Sequence, residues 1–375
     1  MVALARKTLQ YEWRRFLPAT IAVAFAGVLL FVQTALVLGI FATSSVFVST
    51  STADLWVGYP QTPSVDLGRP VSNVAELRLR MDPEVLQVDS LHWLDASWHA
   101  PERAEHIAVV VAGINTASNG LLFARALPIA LRTQLAEPDT FVVDTADIAK
   151  LGIAKGEFGY IQGRRVKLIG VARGIRSLGA VTVATSATTA RMIGRDSSSP
   201  YSATYYLARL RDGANPDRVQ RRVQSGRRFE VWTAAEFGQR TIRFWLFDTG
   251  AGLGFIFAAV LVMLVGAIIA GQALAGAISG SLREFAMLRA LGVSRTELAK
   301  IIIAQASWLG GTGLLLATLV SAVIVAAAHS ASVPIAPSTS TAMLCAMGVV
   351  VVAWLAGLMS LARLARTDPS ELLRV

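Results

Sequence analysis

The chain has 375 residues, of which 54% are hydrophobic and 16% charged, and its 35 Lys and Arg against 25 Asp and Glu give a net charge of +10. Ordinary soluble domains are about a quarter charged, so this composition excludes a typical water-soluble protein and points to lipid. The basic excess does not indicate nucleic acid, because Lys and Arg sit at the ends of apolar runs and are spread through the polar block without a recognition motif. With one cysteine, Cys345, no internal disulfide can form, so any folded domain must be held by its own core.

Residues 1–15 carry Arg6, Lys7, Arg14 and Arg15 against Glu12, while Val2, Ala5, Leu9, Trp13 and Phe16 recur at helical spacing. This predicts a cytoplasmic amphipathic helix on the membrane surface, running into a first span at 16–40. No charged residue falls between Arg15 and Asp54. A signal peptide would have an apolar core of about 7–15 residues and a small-x-small cleavage site, so the segment reads as an anchor. Residues 43–52 are rich in Ser and Thr and are expected to leave the span as extended chain.

The polar block 41–248 alternates strand-like and helix-like pieces. Residues 106–112 and 141–144 read as buried strands. Residues 160–172 read as a hairpin with Gly163 in its turn. A strand at 204–210, a turn at Asp212-Gly213, a helix opened by Asn215-Pro216 and a strand at 229–232 make a β-α-β unit. Residues 234–248 then read as a helix leading into the second span. The block is expected to be an α/β domain.

The second span is placed at 249–279, where Ala267, Gly271, Ala275 and Ser279 form a small-residue ladder suited to close helix packing, within one chain or across a dimer. A connection at 280–294 leads to a third span at 295–328. A loop at 329–340, with Pro334 and Pro337 and no formal charge, leads to a fourth at 341–362, and a tail follows at 363–375. A charge at a bilayer centre costs roughly 2.5–3.5 kcal/mol on the insertion scale, so the charge-free runs 249–282 and 301–362 fit spans in lipid. The expected fold is thus an α-helical membrane protein of four transmembrane helices, one plus three, around a large extracytoplasmic α/β domain. Lys and Arg cluster before the first span, between the second and third, and after the fourth, so both termini are expected in the cytoplasm and block 41–248 outside.

In the connection, Leu282, Phe285, Leu288 and Leu291 give an apolar stripe, with Arg283, Glu284 and Arg289 off it. Gly292 can stop the helix in the left-handed conformation, and Ser294 with Glu297 forms a capping box for the next one. A short amphipathic helix between two spans is suited to receive force from a cytoplasmic partner, or simply to connect them.

The pattern Arg283, Glu284, Leu288, Arg289, Ala290 and Gly292 resembles the FtsX-like permease family of ABC transporters, and is similar to DevC-type export permeases related to the MacB type. Residues 254–257 (GFIF) and the tail residues Asp368, Pro369, Glu371, Leu373 and Arg374 resemble the same family, although Phe285-Ala286 stand where many relatives carry Ile-Gly. The resemblance implies a bacterial inner-membrane subunit whose elbow, including Phe285, docks in a separate ABC ATPase that holds ATP and Mg. It implies a homodimer of permeases and, for DevC-type systems, a membrane fusion protein and an outer-membrane duct. The chain itself is then expected to bind no cofactor.

No G-x-x-x-x-G-K-[ST] occurs, so ATP hydrolysis would belong to a partner. Gly250-x-Gly252-x-Gly254 imitates part of a dinucleotide fingerprint but opens a membrane helix. No G-x-S-x-G, H-E-x-x-H or C-x-x-C is present, and His92, His99 and His106, spaced by seven, read as surface or core histidines rather than metal ligands. The spans hold no interior carboxylate or lysine, which disfavours ion-coupled carriage. Gln33, Gln272 and Gln305 read as interhelical hydrogen-bonding groups. Three functions follow: the permease subunit of an ATP-driven export or mechanotransmission complex; an FtsX-type regulator that signals to a periplasmic enzyme without transport; and an anchored receptor or enzyme, which the absence of a catalytic constellation disfavours.

Overall fold

The computed structural model describes residues 13–102, 105–194, 202–224, 228–279, 294–330, 335, 339–340, 342–351 and 354. They form two compact units, one of helices from the two ends of the chain and one spanning Ile40–Gly252. The first helix among the described residues, α1 (Trp13–Ser44), is followed after one residue by the short α2 (Val46–Ser49). The exit expected as extended chain is therefore helical as far as Ser49. The reason is local: Thr43, Ser44 and Ser45 donate their hydroxyls to carbonyls three residues back, and Thr50 to the carbonyl four back. Burial of Val46, Phe47 and Val48 fixes that turn in place.

The sheet unit continues with β1 (Leu55–Gly58), β2 (Val71–Ser72), α3 (Val74–Met81), β3 (Val85–His99), β4 (His106–Ile114), α4 (Ile129–Gln134), β5 (Thr140–Asp144) and α5 (Ile148–Leu151). It is completed by β6 (Phe158–Ile161), β7 (Arg164–Ala172), β8 (Val181–Ser186), α6 (Ala187–Ile193), β9 (Ser202–Ala203), β10 (Tyr205–Leu210), α7 (Pro216–Val223), β11 (Glu230–Thr233) and α8 (Ala234–Arg243). The nine-stranded order is β11-β1-β10-β3-β4-β8-β5-β7-β6, with β2 and β9 in a separate pair.

Strand β6 also pairs back onto β3, Trp98 opposite Ile161 and His99 opposite Tyr160, so β3-β4-β8-β5-β7-β6 close on themselves as a six-stranded barrel. Side chains fill it: Trp98, Val109, Val111, Phe141, Val143, Val166, Leu168 and Val183 make its core. The Trp98 ring lies where a Cβ at Gly159 would stand, and its Nε1 donates to the Leu151 carbonyl at 3.0 Å. The hairpin β6–β7 turns through Gln162 and Gly163, both at positive φ (50° and 76°), as a two-residue turn of this hand requires.

The first half of β3 belongs instead to the flatter part β11-β1-β10-β3. Its two faces have separate cores. Leu55, Val57, Val88, Ala208 and Val231 pack under α3 and α7. Trp56, Leu91, Tyr205, Leu207 and Trp232 pack with Phe47 of α2 and Phe237 of α8. The expected β-α-β unit is present as β10-α7-β11, but β1 lies between its two strands and pairs antiparallel with both. The Asn215 side chain caps α7 by accepting from the Asp217 and Arg218 N–H groups.

Among the described residues, the remaining α-helices are α9 (Ala251–Ser279), α10 (Arg295–Ser330) and α11 (Ala342–Val351). Among the described residues, Leu17–Ser44 and Ile303–Ala328 are long and apolar enough to cross a membrane. The helix starting at Ala251 makes a third candidate when joined with the segment Ala234–Asp248 before it. Small residues set the spacing within the helical unit. A Cβ at Gly266 would come within 2.7 Å of Ala26, one at Gly313 within 2.7 Å of Val23, and one at Gly27 within 3.0 Å of Ala317.

Candidate functional site

The sheet unit joins the apolar helices at two places: the segment from α1 to β1 and the segment from β11 to α9. Within the sheet unit these two places are neighbours. β1 pairs with β11, Trp56 opposite Trp232, and Gly238 of α8 faces Val48 of α2 with 3.6 Å between a Cβ built on the glycine and the valine Cγ1. Between them lies an aromatic cluster. Trp232 stacks on Phe237 at 4.5 Å, and Trp56 meets both Phe237 and Tyr205 at 5.7 Å. The Tyr205 hydroxyl donates to the Val65 carbonyl at 2.8 Å, and burial pushes its pKa up.

Glu230, at the start of β11, ties the junction together. Its carboxylate accepts from the Gln61 N–H at 2.6 Å, the Trp232 Nε1 at 2.8 Å and the Arg240 guanidinium at 3.0 Å. Burial alone would raise the Glu230 pKa, but the three hydrogen bonds and the Arg240 charge outweigh it and hold the carboxyl below its ordinary value. Beyond α8 the helix widens into a π-helical turn, Phe244–Asp248, whose Trp245 Nε1 donates to Asp66 at 3.3 Å. The chain then turns at Gly250, φ 74°, and a Cβ on Gly252 would collide with the Leu246 carbonyl. The glycine pair that imitates a dinucleotide fingerprint in the sequence thus serves a tight break between two helices.

Of the residues marked from the sequence as the coupling elbow, Arg283, Glu284, Phe285, Leu288, Arg289, Ala290 and Gly292 lie outside the described residues, as do the tail residues Asp368, Pro369, Glu371 and Arg374. Ser294 and Glu297 are described. The Ser294 hydroxyl accepts from the Glu297 N–H at 3.3 Å, at the start of α10. Ala267, Gly271, Ala275 and Ser279 lie at four-residue spacing along α9. The close approach to α1 falls at Gly266, one residue before that ladder.

The interhelical hydrogen bond expected of Gln305 is not formed among the described residues. Gln305 is buried in α10, yet its Oε1 has no hydrogen-bond partner among the described residues, and neither has the Ser321 Oγ. The three histidines do not converge. His99 and His106 stack across β3–β4 with ring centroids 5.0 Å apart, whereas His92 lies seven residues back along the extended strand. No group of three or more His, Cys, Asp or Glu suited to a metal occurs among the described residues. Sequence reasoning missed Glu230 and the aromatic junction. The alternation Glu230-Val231-Trp232 signals a strand, but its cross-strand partners at 54–61 are far away in the chain.

Long apolar helices flanking an inserted mixed-sheet unit define a membrane protein whose large domain is built outside the apolar segments. Residues 256–369 match the model of the FtsX-like permease C-terminal domain. No curated protein matches the sequence significantly. Among solved structures, the chain is similar to the periplasmic region of MacB from Actinobacillus actinomycetemcomitans at 11% identity, covering 50% of this chain and 92% of that one with a TM-score of 0.35. It is also similar to the extracellular domain of the noncanonic ABC-type transporter YknZ from Gram-positive bacteria at 11% identity, covering 48% and 100% with a TM-score of 0.33.

Proposed function

We propose that the chain is the permease subunit of an ATP-driven ABC complex, coupling a separate cytoplasmic ATPase to motion of the sheet unit. The observation that carries this reading is the family match over 256–369, which contains the whole elbow from Arg283 to Gly292. In this reading the chain crosses a bacterial inner membrane four times, at 16–40, 249–279, 295–328 and 341–362. Both termini are cytoplasmic, and the distribution of Lys and Arg supports that orientation. Two copies work with two ATPases, which hold the ATP and Mg. The sheet unit acts outside on an exported substrate, with a fusion protein and an outer-membrane duct as further partners.

The mechanism asks little chemistry of this chain. Closure of the ATPase pair displaces the elbow, and the displacement runs along α9 and α10. It reaches the sheet unit through the Gly250–Gly252 break on one side and α2 on the other. The paired strands β1 and β11 make those two inputs arrive at one place.

The test is a pull-down of the tagged full chain from native membranes, with ATPase activity measured in the eluate. A P-loop ATPase should co-elute, and Leu288→Asp or Arg289→Glu should remove it. Undiminished ATPase recovery with both variants would sink the elbow assignment.

A further inference from the structure

A polar cleft of about 360 Å³ opens where the chain first enters the sheet, lined by Thr52, Asp54, Arg125, Arg209, Arg211 and the turn 212–214. Arg209, near the end of β10, and Arg211, just beyond it, are both exposed and line the cleft, with Leu210 buried between them. Arg125 is brought in from another part of the chain. Its N–H donates to the Thr50 carbonyl at 3.0 Å and its Nη1 to the Ser49 carbonyl at 3.1 Å. Asp54 is turned to the fold, one carboxylate oxygen accepting from the Leu210 N–H at 2.7 Å. Among the described residues no carboxylate forms an ion pair with Arg125, Arg209 or Arg211, and the guanidinium groups of Arg209 and Arg211 make no hydrogen bond. Elsewhere in the same unit arginines do find carboxylates, as Arg222 does with Asp82 and Glu84 and Arg164 with Asp139.

We propose that this cleft binds a phosphate group, presented by a lipid headgroup or as a free phosphate. Three arginines from two chain segments line the cleft, a guanidinium fork suits phosphate oxygens, and the three outnumber Asp54 and Asp212 to leave the cleft net positive. The covalent path argues for the lipid source. Thr52 follows the last residue of α1 by eight positions, four of them in α2, which limits its distance from the end of the apolar helix to roughly 20–25 Å. Anionic headgroups lie at that boundary and attract basic residues held within a Debye length of it. The proposal is independent of the ATPase reading.

The experiment uses the full chain purified in detergent. Native mass spectrometry follows binding of phosphatidylglycerol, with phosphatidylcholine as comparator, and equilibrium dialysis follows inorganic phosphate. Arg209→Gln/Arg211→Gln should weaken phosphatidylglycerol binding at least tenfold without shifting the melting temperature, since neither guanidinium holds the fold together. Arg173→Gln, an exposed arginine outside the cleft, should change nothing. The same tenfold loss for inorganic phosphate, with no preference between the two lipids, would assign the site to a free phosphate. Wild-type binding of both probes by the double variant, or no binding of either by the wild type, would overturn the proposal.

Discussion

Two titratable side chains of the sheet unit should set opposite ends of its acid response. His92 is largely buried under α6, and burial, helped by the nearby Arg191 charge, pushes its pKa down to about 4. The unfolded chain takes up the proton near 6.5, while the folded one resists until about 4. Stability should therefore fall as pH drops from 6.5 towards 4 and level off below. A depression of this size corresponds to roughly 3 kcal/mol at most. His92→Gln should flatten that part of a melting-temperature profile of the full chain, and an unchanged slope would show that His92 protonates freely. Glu230 acts in the same direction, in the carboxylate range. Its carboxyl is held below the ordinary value, so it stabilises the junction above that value, and the contribution is lost as pH falls through the depressed one. Glu230→Gln should lower stability at pH 7 by about 1–2 kcal/mol through weaker bonds to Gln61, Trp232 and Arg240, and should remove the acid limb below pH 5. Arg132 is a third sensitive residue. It is 1% exposed and donates to the Asn115 carbonyl at 2.8 Å and to the Leu122 carbonyl. Arg132→Ala would strand both carbonyls beside a cavity and should cost about 3 kcal/mol or more by denaturant unfolding.

At the scale of elements, the break between α8 and α9 depends on two glycines for different reasons. Gly250 needs a positive φ, so Gly250→Ala should cost about 1 kcal/mol. Gly252 has no room for a Cβ beside the Leu246 carbonyl, so Gly252→Ala must shift backbone and should lower the melting temperature further than Gly250→Ala does. Equal shifts would mean that the turn opens at little cost. This break was not legible in the sequence, where 234–248 reads as a continuous lead into the span. Elements with a short-range signature were legible: the apolar runs of β4 and β5, the Gln162-Gly163 turn of the β6–β7 hairpin, and the Asn215-Pro216 start of α7. The long strand β3 was not. Its Leu91 and Trp93 are buried on one face in the flat part of the sheet, while Ala96 and Trp98 are buried on the other face inside the barrel. A strand that exchanges its buried face midway shows no single alternation. The candidate site divides similarly. The capping pair Ser294 and Glu297 is local and was legible, whereas the Glu230 junction joins segments some 170 residues apart and leaves no pattern in either.

For the whole molecule, the arrangement of the sheet unit bears on how it can be driven. Both of its links to membrane helices leave from one side of one small substructure, β1 beside β11 and α2 beside α8. A displacement of either link must then carry the other with it, unless the aromatic junction slides. The two alternatives can be separated by covalent locking. A Cβ built on Gly238 lies 4.0 Å from the Val48 Cβ, within the range that a disulfide spans. In a background carrying Cys345→Ala, Val48→Cys with Gly238→Cys should oxidise readily, closing a loop of about 190 residues and adding about 2–4 kcal/mol of stability. On the proposed permease function, if the junction moves as one body, ATP turnover and export by the reconstituted complex should be the same in the oxidised and reduced forms, while the oxidised form melts higher. Export lost on oxidation and recovered on reduction, with ATPase binding intact, would show that α2 and α8 must slide past each other in the working cycle.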